Sequence, residues 1–220
     1  MSVNRIPPLY PILDAVFLPA DESRGKLLAG LVRSLAGAGV EILQYRNKQG
    51  SDADILRDTE VIRAAAPASL RLILNDYVDL VEEAGFAGVH LGQTDMPPGE
   101  ARSLLGPNVT IGISTHNEAQ LRTAARELVD YIAIGPVFAT VSKESPDPIV
   151  GLSGVQLARQ LTAKPLVAIG GITLANAAGV WGAGADSVAV ISAILAGTTG
   201  PDQATASFLK LFRDRGSRSY

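Results

Sequence analysis

Five consecutive residues, Gln44-Tyr45-Arg46-Asn47-Lys48, follow an apolar run. In an extended chain alternate side chains share a face, so Gln44, Arg46 and Lys48 would point the same way. An amide, a guanidinium and a flexible ammonium together make a grip for a polyphosphate. The plainer reading is a solvated basic loop. Two further apolar runs end in Asn75-Asp76 and in His90-Leu91-Gly92-Gln93-Thr94-Asp95. Asp76 and Asp95 are candidate ligands for one Mg2+, which takes oxygen donors and usually keeps waters and a substrate phosphate. Taken singly, Asp76 also reads as an N-cap for a helix beginning at Tyr77, and Asp95 as a turn residue. His90 lies inside its apolar run and reads as a packed core histidine.

Downstream, Ser114-Thr115-His116-Asn117 offers a hydroxyl for a phosphate or a substrate ring. It also offers a histidine, one of only two, that suits either acid–base work or orienting an Asn117 cap. The stretch Gly135 to Gly151 is longer than the roughly 2–6 residues usual for a connection of this kind. Its Thr140, Ser142 and Lys143 suit a phosphate-gripping lid, against the alternative of a flexible surface loop. Gly170-Gly171-Ile172-Thr173 and Ile191-Ser192-Ala193 close the series. Glycine lets backbone N–H groups approach an anion closely, so Gly170, Gly171 and Ser192 read as a neutral phosphate cup. There are then two anion sites. One is metal-assisted (Arg46, Lys48, Asp76, Asp95, Lys143) and one is backbone-built. That pairing suits two phosphorylated substrates joined with loss of diphosphate.

These groups need a scaffold that brings them to one end. Eight short runs rich in Val, Ile and Leu supply it: Leu9–Leu13, Val40–Leu43, Arg71–Leu74, Gly88–Leu91, Val109–Ile113, Tyr131–Ile134, Pro165–Ile169 and Ser187–Ile191. They are nearly continuous rather than alternating, as strands buried on both faces are. Helices are expected between them at Gly25–Ala38, Asp52–Ala66, Tyr77–Ala84, Pro98–Leu105, Glu118–Leu128, Gly154–Leu161, Leu174–Trp181 and Gln203–Arg213. Asn117 and Thr173 are expected caps, and Gly39, Gly85 and Gly182–Gly184 expected stops. Eight such units in 220 residues predict an α/β fold, a single-domain (β/α)8 barrel over residues 1–220 with a long loop at 135–151 after strand 6. A doubly wound open sheet is the rival arrangement. In a parallel barrel catalytic groups sit where strands end, which is where every candidate above lies.

Composition narrows the function classes. The net charge is −3, which gives no support for a nucleic-acid or membrane partner. There is no cysteine, so disulfides, thiolate chemistry and Cys-based zinc sites are excluded. No stretch approaches ~18 apolar residues, and Met1 to Pro8 has no apolar core of a signal peptide, so a cytoplasmic location is expected.

In order along the chain, the segments Gln44 to Lys48, Asn75-Asp76, Gly88 to Asp95, Ile111-Gly112-Ile113-Ser114, Gly135-Pro136-Val137-Phe138 and Ala168 to Ile172 resemble the thiamine-phosphate synthase family. The likeness runs from Leu9-Tyr10 to about Ala196. It implies a transferase that joins hydroxymethylpyrimidine diphosphate to a thiazole phosphate, giving thiamine phosphate and diphosphate with Mg2+. By this resemblance Gln44, Arg46, Lys48 and Asn75 hold the pyrimidine diphosphate, and Asp76 and Asp95 hold Mg2+. Ser114 lies beside the pyrimidine. Thr140, Ser142 and Lys143 grip phosphate, and Gly171, Ile191 and Ser192 form the thiazole-phosphate cup. Arg46, Lys48, Lys143 and Ser114 are the residues expected to act on the reacting centre. The family loop usually reads Pro-Thr-x-Thr-Lys. Here Ala139 replaces the proline, and Ser142 replaces the second threonine but keeps its hydroxyl. Rival readings are a thiazole tautomerase using His116, another phosphate-binding barrel such as a sugar-phosphate epimerase, and a non-catalytic thiamine-precursor binding protein. The expected partners are small molecules, with a homo-oligomer left open.

Overall fold

The computed structural model describes residues 5–140 and 147–216. Among these, eight parallel strands close into a barrel in sequence order: β1 Leu9–Asp14, β2 Ile42–Arg46, β3 Arg71–Asn75, β4 Gly88–Leu91, β5 Thr110–Thr115, β6 Tyr131–Ile134, β7 Leu166–Ile169 and β8 Ser187–Val190. β8 returns to pair with β1, as Leu9 opposite Val188 shows. The rival open sheet is therefore excluded. Helices run between the strands and after the last of them: α1 Arg24–Gly37, α2 Asp52–Ala65, α3 Val81–Ala84, α4 Pro98–Leu105, α5 Glu118–Ala124, α6 Gly151–Leu161, α7 Ala177–Gly182, α8 Ser192–Leu195 and α9 Pro201–Gly216.

Strand parity divides the core in two. Tyr10, Ile12, Ile42, Ile73, Tyr131, Ala133, Val167 and Ala189 form the barrel interior. Their neighbours Leu9, Leu13, Leu43, Leu72, Leu74, Ile132, Leu166 and Val188 face outward and pack with the helices. Both faces are apolar, which explains the continuous runs in the sequence. The parity continues to the strand ends. Asp14, Gln44, Arg46, Asn75, His90 and Ser114 fall on inward positions, so the interior turns polar toward the mouth. Space inside is shared unevenly. A Cβ added at Gly112 would overlap the Tyr131 ring, so the bare backbone of β5 is what admits that ring.

Local signals account for several helix ends. Ser51 and Asp54 form a reciprocal capping box at α2, with Asp54 N–H donating to Ser51 Oγ at 3.3 Å and Ser51 N–H to Asp54 Oδ2 at 3.2 Å. Asn117 caps α5 as expected, its Oδ1 accepting from Gln120 N–H at 3.0 Å. Thr173 does not cap a helix. Its N–H donates to Asn176 Oδ1 at 2.8 Å, and α7 begins only at Ala177. The helix expected over Tyr77–Ala84 is a 3-10 turn at Val78–Leu80 followed by the single turn of α3. Gly39, Gly85 and Gly184 adopt positive φ at helix-to-strand turns.

In the layer between strands and helices, Trp181 of α7 packs near the start of β1. Its ring is 1% exposed, packs edge-on against Phe212 of α9 at 5.2 Å, and donates Nε1–H to Pro8 O at 3.2 Å. Phe208, also 1% exposed, joins it. Burying a side chain of this size contributes roughly 1.5–3 kcal/mol. No helix among the described residues is long and apolar enough to cross a membrane.

Candidate active site at the mouth of the barrel

A cavity of about 680 Å3 opens at the C-terminal ends of the strands. Gln44, Arg46, Lys48, Asn75, Asp76, Asp95, Ser114, Thr140, Gly171, Ile191 and Ser192 all line it. Residues far apart in sequence therefore converge on one space. Ser142 and Lys143 lie outside the described residues.

On one side the cations are already matched with carboxylates. Arg46 pairs with Asp14 and Lys48 with Asp76. Asp14 is 4% exposed and is the inward-facing last residue of β1. The apolar run ends at Leu13, so hydrophobicity alone does not mark Asp14, which stands one residue further on at the strand end. Asp76 is not the N-cap of a helix. It sits at φ 71°, a left-handed conformation uncommon outside glycine, with its N–H donating to His90 O at 2.8 Å. Burial first, opposed by Lys48 and reinforced by the neighbouring Asp95 carboxylate, pushes Asp76 up to about 6. Asp95 does act as a turn residue, since its Oδ2 accepts from Gly92 N–H at 2.6 Å, yet it also faces Asp76. Among the described residues no group of three or more His, Asp or Glu side chains gathers to hold a metal.

Lys48 is held out by a framed turn. Asn47 Oδ1 accepts from Gly50 N–H at 2.9 Å and Gln49 N–H at 3.2 Å, while Asn47 Nδ2 donates to Tyr45 Oη at 3.1 Å. Tyr45 in turn donates to Asp58, which Arg24 also binds through two nitrogens. Beside this turn, the Asn75 Nδ2 amide is buried without a hydrogen-bond partner. An orphaned buried donor costs roughly 1–3 kcal/mol, so a donor left open on the wall of a cavity points to a ligand.

The floor carries a connected series. Gln44 Nε2 donates to Tyr10 Oη at 3.2 Å, and the Tyr10 and Tyr131 hydroxyls lie 2.9 Å apart. Tyr131 Oη meets His90 Nδ1 at 2.9 Å, and His90 Nε2 meets Ser114 Oγ at 2.8 Å. His90 is in the core, as its apolar setting suggested, but both of its nitrogens are engaged. Burial lowers its pKa to about 4, so it is neutral at pH 7. Nothing in the sequence marks Tyr10 and Tyr131 as site residues, because an isolated aromatic in an apolar run carries no sign of its hydroxyl partners.

On the other side, Gly170 (φ 99°) and Gly171 (φ 63°) turn the chain after β7. A Cβ on Gly170 would meet Pro136 Cα at 2.6 Å, and one on Gly171 would meet Phe138 Cβ at 2.8 Å. These glycines therefore serve the close packing of residues 136–139 as well as any anion. Val137 N–H donates to Ile169 O at 2.9 Å and Phe138 N–H to Gly170 O at 3.0 Å, tying that segment to the turn. Ser192 opens α8 on the same rim. His116 does not orient the Asn117 cap. Its Nδ1 lies 2.6 Å from Gly135 O, to which only a protonated nitrogen can donate, and 3.5 Å from Asp147 Oδ2. It thus stands between Gly135 and Asp147 of the 135–151 connection.

Fold and site together define a parallel (β/α)8 barrel whose mouth gathers paired charges and a glycine turn in one cavity. A family profile described as thiamine monophosphate synthase matches residues 10–194. The chain is 48% identical over 207 residues to a thiamine-phosphate synthase of Koribacter versatilis, covering 94% of this chain and 96% of the relative. It is 41% identical to one from Methanoculleus marisnigri, covering 91% and 94%. A solved thiamine phosphate pyrophosphorylase from Pyrococcus furiosus superimposes with a TM-score of 0.81 at 28% identity, covering 94% of this chain and 96% of that one. The chain belongs to the thiamine monophosphate synthase family.

Proposed function

We propose that the protein is the transferase that condenses 4-amino-5-hydroxymethyl-2-methylpyrimidine diphosphate with a thiazole phosphate, releasing thiamine phosphate and diphosphate. The observation that carries this reading is the sharing of one cavity by a cation–carboxylate cluster and a glycine turn, each suited to a separate phosphate. The relatives named thiamine-phosphate synthase support it at up to 48% identity. On this reading residues 1–220 act as one barrel unit in the cytoplasm, with 135–151 as a lid.

In the proposed division of labour Gln44, Asn75 and Ser114 hold the pyrimidine. Arg46, Lys48, Thr140, Ser142 and Lys143 take the diphosphate, and Gly171, Ile191 and Ser192 take the thiazole phosphate. Asp76 and Asp95 suit Mg2+. Two facing carboxylates, one of them raised first by burial and then by the other, are a donor set that a divalent cation would neutralise. When bound, Mg2+ would offset charge on the leaving diphosphate. Arg46, Lys48 and Lys143 stabilise the same charge as the C–O bond breaks. The aminopyrimidine supports the resulting methylene cation. The thiazole nitrogen, held by its own phosphate, supplies the electron pair for the new C–N bond. No protein nucleophile is needed, so the chain orients the partners and excludes water.

Purified protein with both substrates and Mg2+ should yield thiamine phosphate and diphosphate in equal amounts by chromatography. EDTA should abolish product, and Asp95→Ala should reduce it sharply. Absence of product from folded protein would sink the synthase reading and turn attention to tautomerisation or simple binding of thiazole phosphates.

A further inference from the structure

The floor of the cavity is a directional chain of hydrogen bonds, and its direction can be read by counting protons. Five side chains from five strands take part: Gln44, Tyr10, Tyr131, His90 and Ser114. A phenol is un-ionised at neutral pH, so each hydroxyl has a single proton to donate. The Gln44 amide nitrogen only donates, so it occupies a lone pair of Tyr10. The Tyr10 proton then has Tyr131 Oη as its acceptor, and the Tyr131 proton has His90 Nδ1. With Nδ1 accepting from Tyr131, the ring proton is on Nε2 and is donated to Ser114 Oγ. The Ser114 proton is left over, and Ser114 lines the cavity. With the Gln44 amide nitrogen on Tyr10 Oη, the reverse direction would leave the Tyr10 proton without an acceptor in the series.

We propose that Tyr10, Tyr131 and His90 are positioning residues that fix Ser114 as a hydrogen-bond donor toward the ligand, so that this edge of the pocket selects a lone pair and rejects an N–H. The proposal deepens the reading of Ser114 as the residue beside the pyrimidine and rests on it. His90 stacks on Tyr131 at 5.5 Å and 19° between planes, and Tyr10 meets Tyr131 edge-on at 5.8 Å. Packing therefore holds the rings in the geometry that the relay requires.

The first test needs no substrate. Long-range 15N–1H NMR of the unliganded protein distinguishes the two neutral tautomers of His90. The proton is expected on Nε2; finding it on Nδ1 would overturn the direction. The second test is a double-mutant cycle on thiamine phosphate formation. Tyr131→Phe removes one oxygen, and its kcat is expected to fall about 3–10-fold, the size of one hydrogen bond. In a Ser114→Ala background the same change is expected to have no further effect, because there is no hydroxyl left to orient. An equal loss in both backgrounds would mean that Tyr131 acts only on structure and would overturn the proposal. If the protein makes no thiamine phosphate, the tautomer measurement still reads the relay by itself, so failure of the reaction and failure of the relay remain separate results.

Discussion

Asp14 and Arg46 face each other across β1 and β2 as register partners, and their side chains close an ion pair at the rim of the cavity. Each strand contributes its last residue, so the pair forms where the ladder ends and the ligand space begins. Arg46 is the candidate diphosphate ligand, and Asp14 holds it ready in the absence of ligand.

This arrangement has a measurable cost when broken. Asp14→Asn should destabilise the unliganded protein by about 1–3 kcal/mol, because a partly buried guanidinium loses its counter-charge. Added diphosphate should recover part of that loss by taking the place of the carboxylate. Thermal unfolding of both proteins with and without diphosphate checks this; an equal loss in both conditions would count against Arg46 as a phosphate ligand.

The carboxylate pair predicts how metal binding follows pH. Asp76, pushed up to about 6 chiefly by burial, is protonated below that value and then cannot serve as a metal ligand. Mg2+ affinity should therefore be nearly constant above pH 7 and fall by about tenfold per unit below pH 6. Titration calorimetry at pH 5 and 7.5 reads the difference. An affinity that is flat across this range would remove Asp76 from the ligand set.

His90 should make the fold acid-sensitive. The unfolded chain takes up a proton near 6.5, whereas the folded histidine, desolvated by burial, holds out to about 4. Between those values the unfolded state binds more protons, so stability falls as pH falls, by about 2–3 kcal/mol at pH 4.5. Asp76 acts in the opposite sense over part of this window. Comparing wild type with His90→Gln isolates the histidine. Urea unfolding at pH 7.5 and 4.5 should show a smaller acid loss in the variant.

Gly112→Ala should cost more than its one methyl suggests. The new Cβ would overlap the Tyr131 ring, and neither a strand nor a stacked, hydrogen-bonded ring has room to yield. A loss of about 1–3 kcal/mol or more is expected from overpacking, read by chemical denaturation, with a fall in turnover as Tyr131 moves.

The barrel was legible because its strands are apolar on both faces, and all eight runs coincide with strands. Their ends were less legible, for one physical reason. At the mouth the inward positions face the cavity and are polar, so a reading based on hydrophobicity stopped at Leu13, Leu43, Leu74 and Ile113. The strands run on through Asp14, Arg46, Asn75 and Thr115. At the other ends Val40, Val109 and Pro165 are apolar but precede the strands proper. α8 and the 3-10 turn at Ala15–Phe17 went unforeseen because single turns show no periodicity. Of the site, the charged and glycine-rich segments were visible in sequence by their position after each run. What stayed hidden were the partners. The Asp14–Arg46 pair and the Tyr10–Tyr131–His90 series link residues more than thirty positions apart, and only closure of the barrel brings them together.

Trp181 is the only tryptophan in the chain, and it is buried where α7 meets α9 and the segment before β1, at the end of that strand away from the cavity. Its fluorescence is thus a native optical reporter of barrel integrity. Its emission should shift when α9 detaches or the chain unfolds, and should stay unchanged when phosphates occupy the mouth.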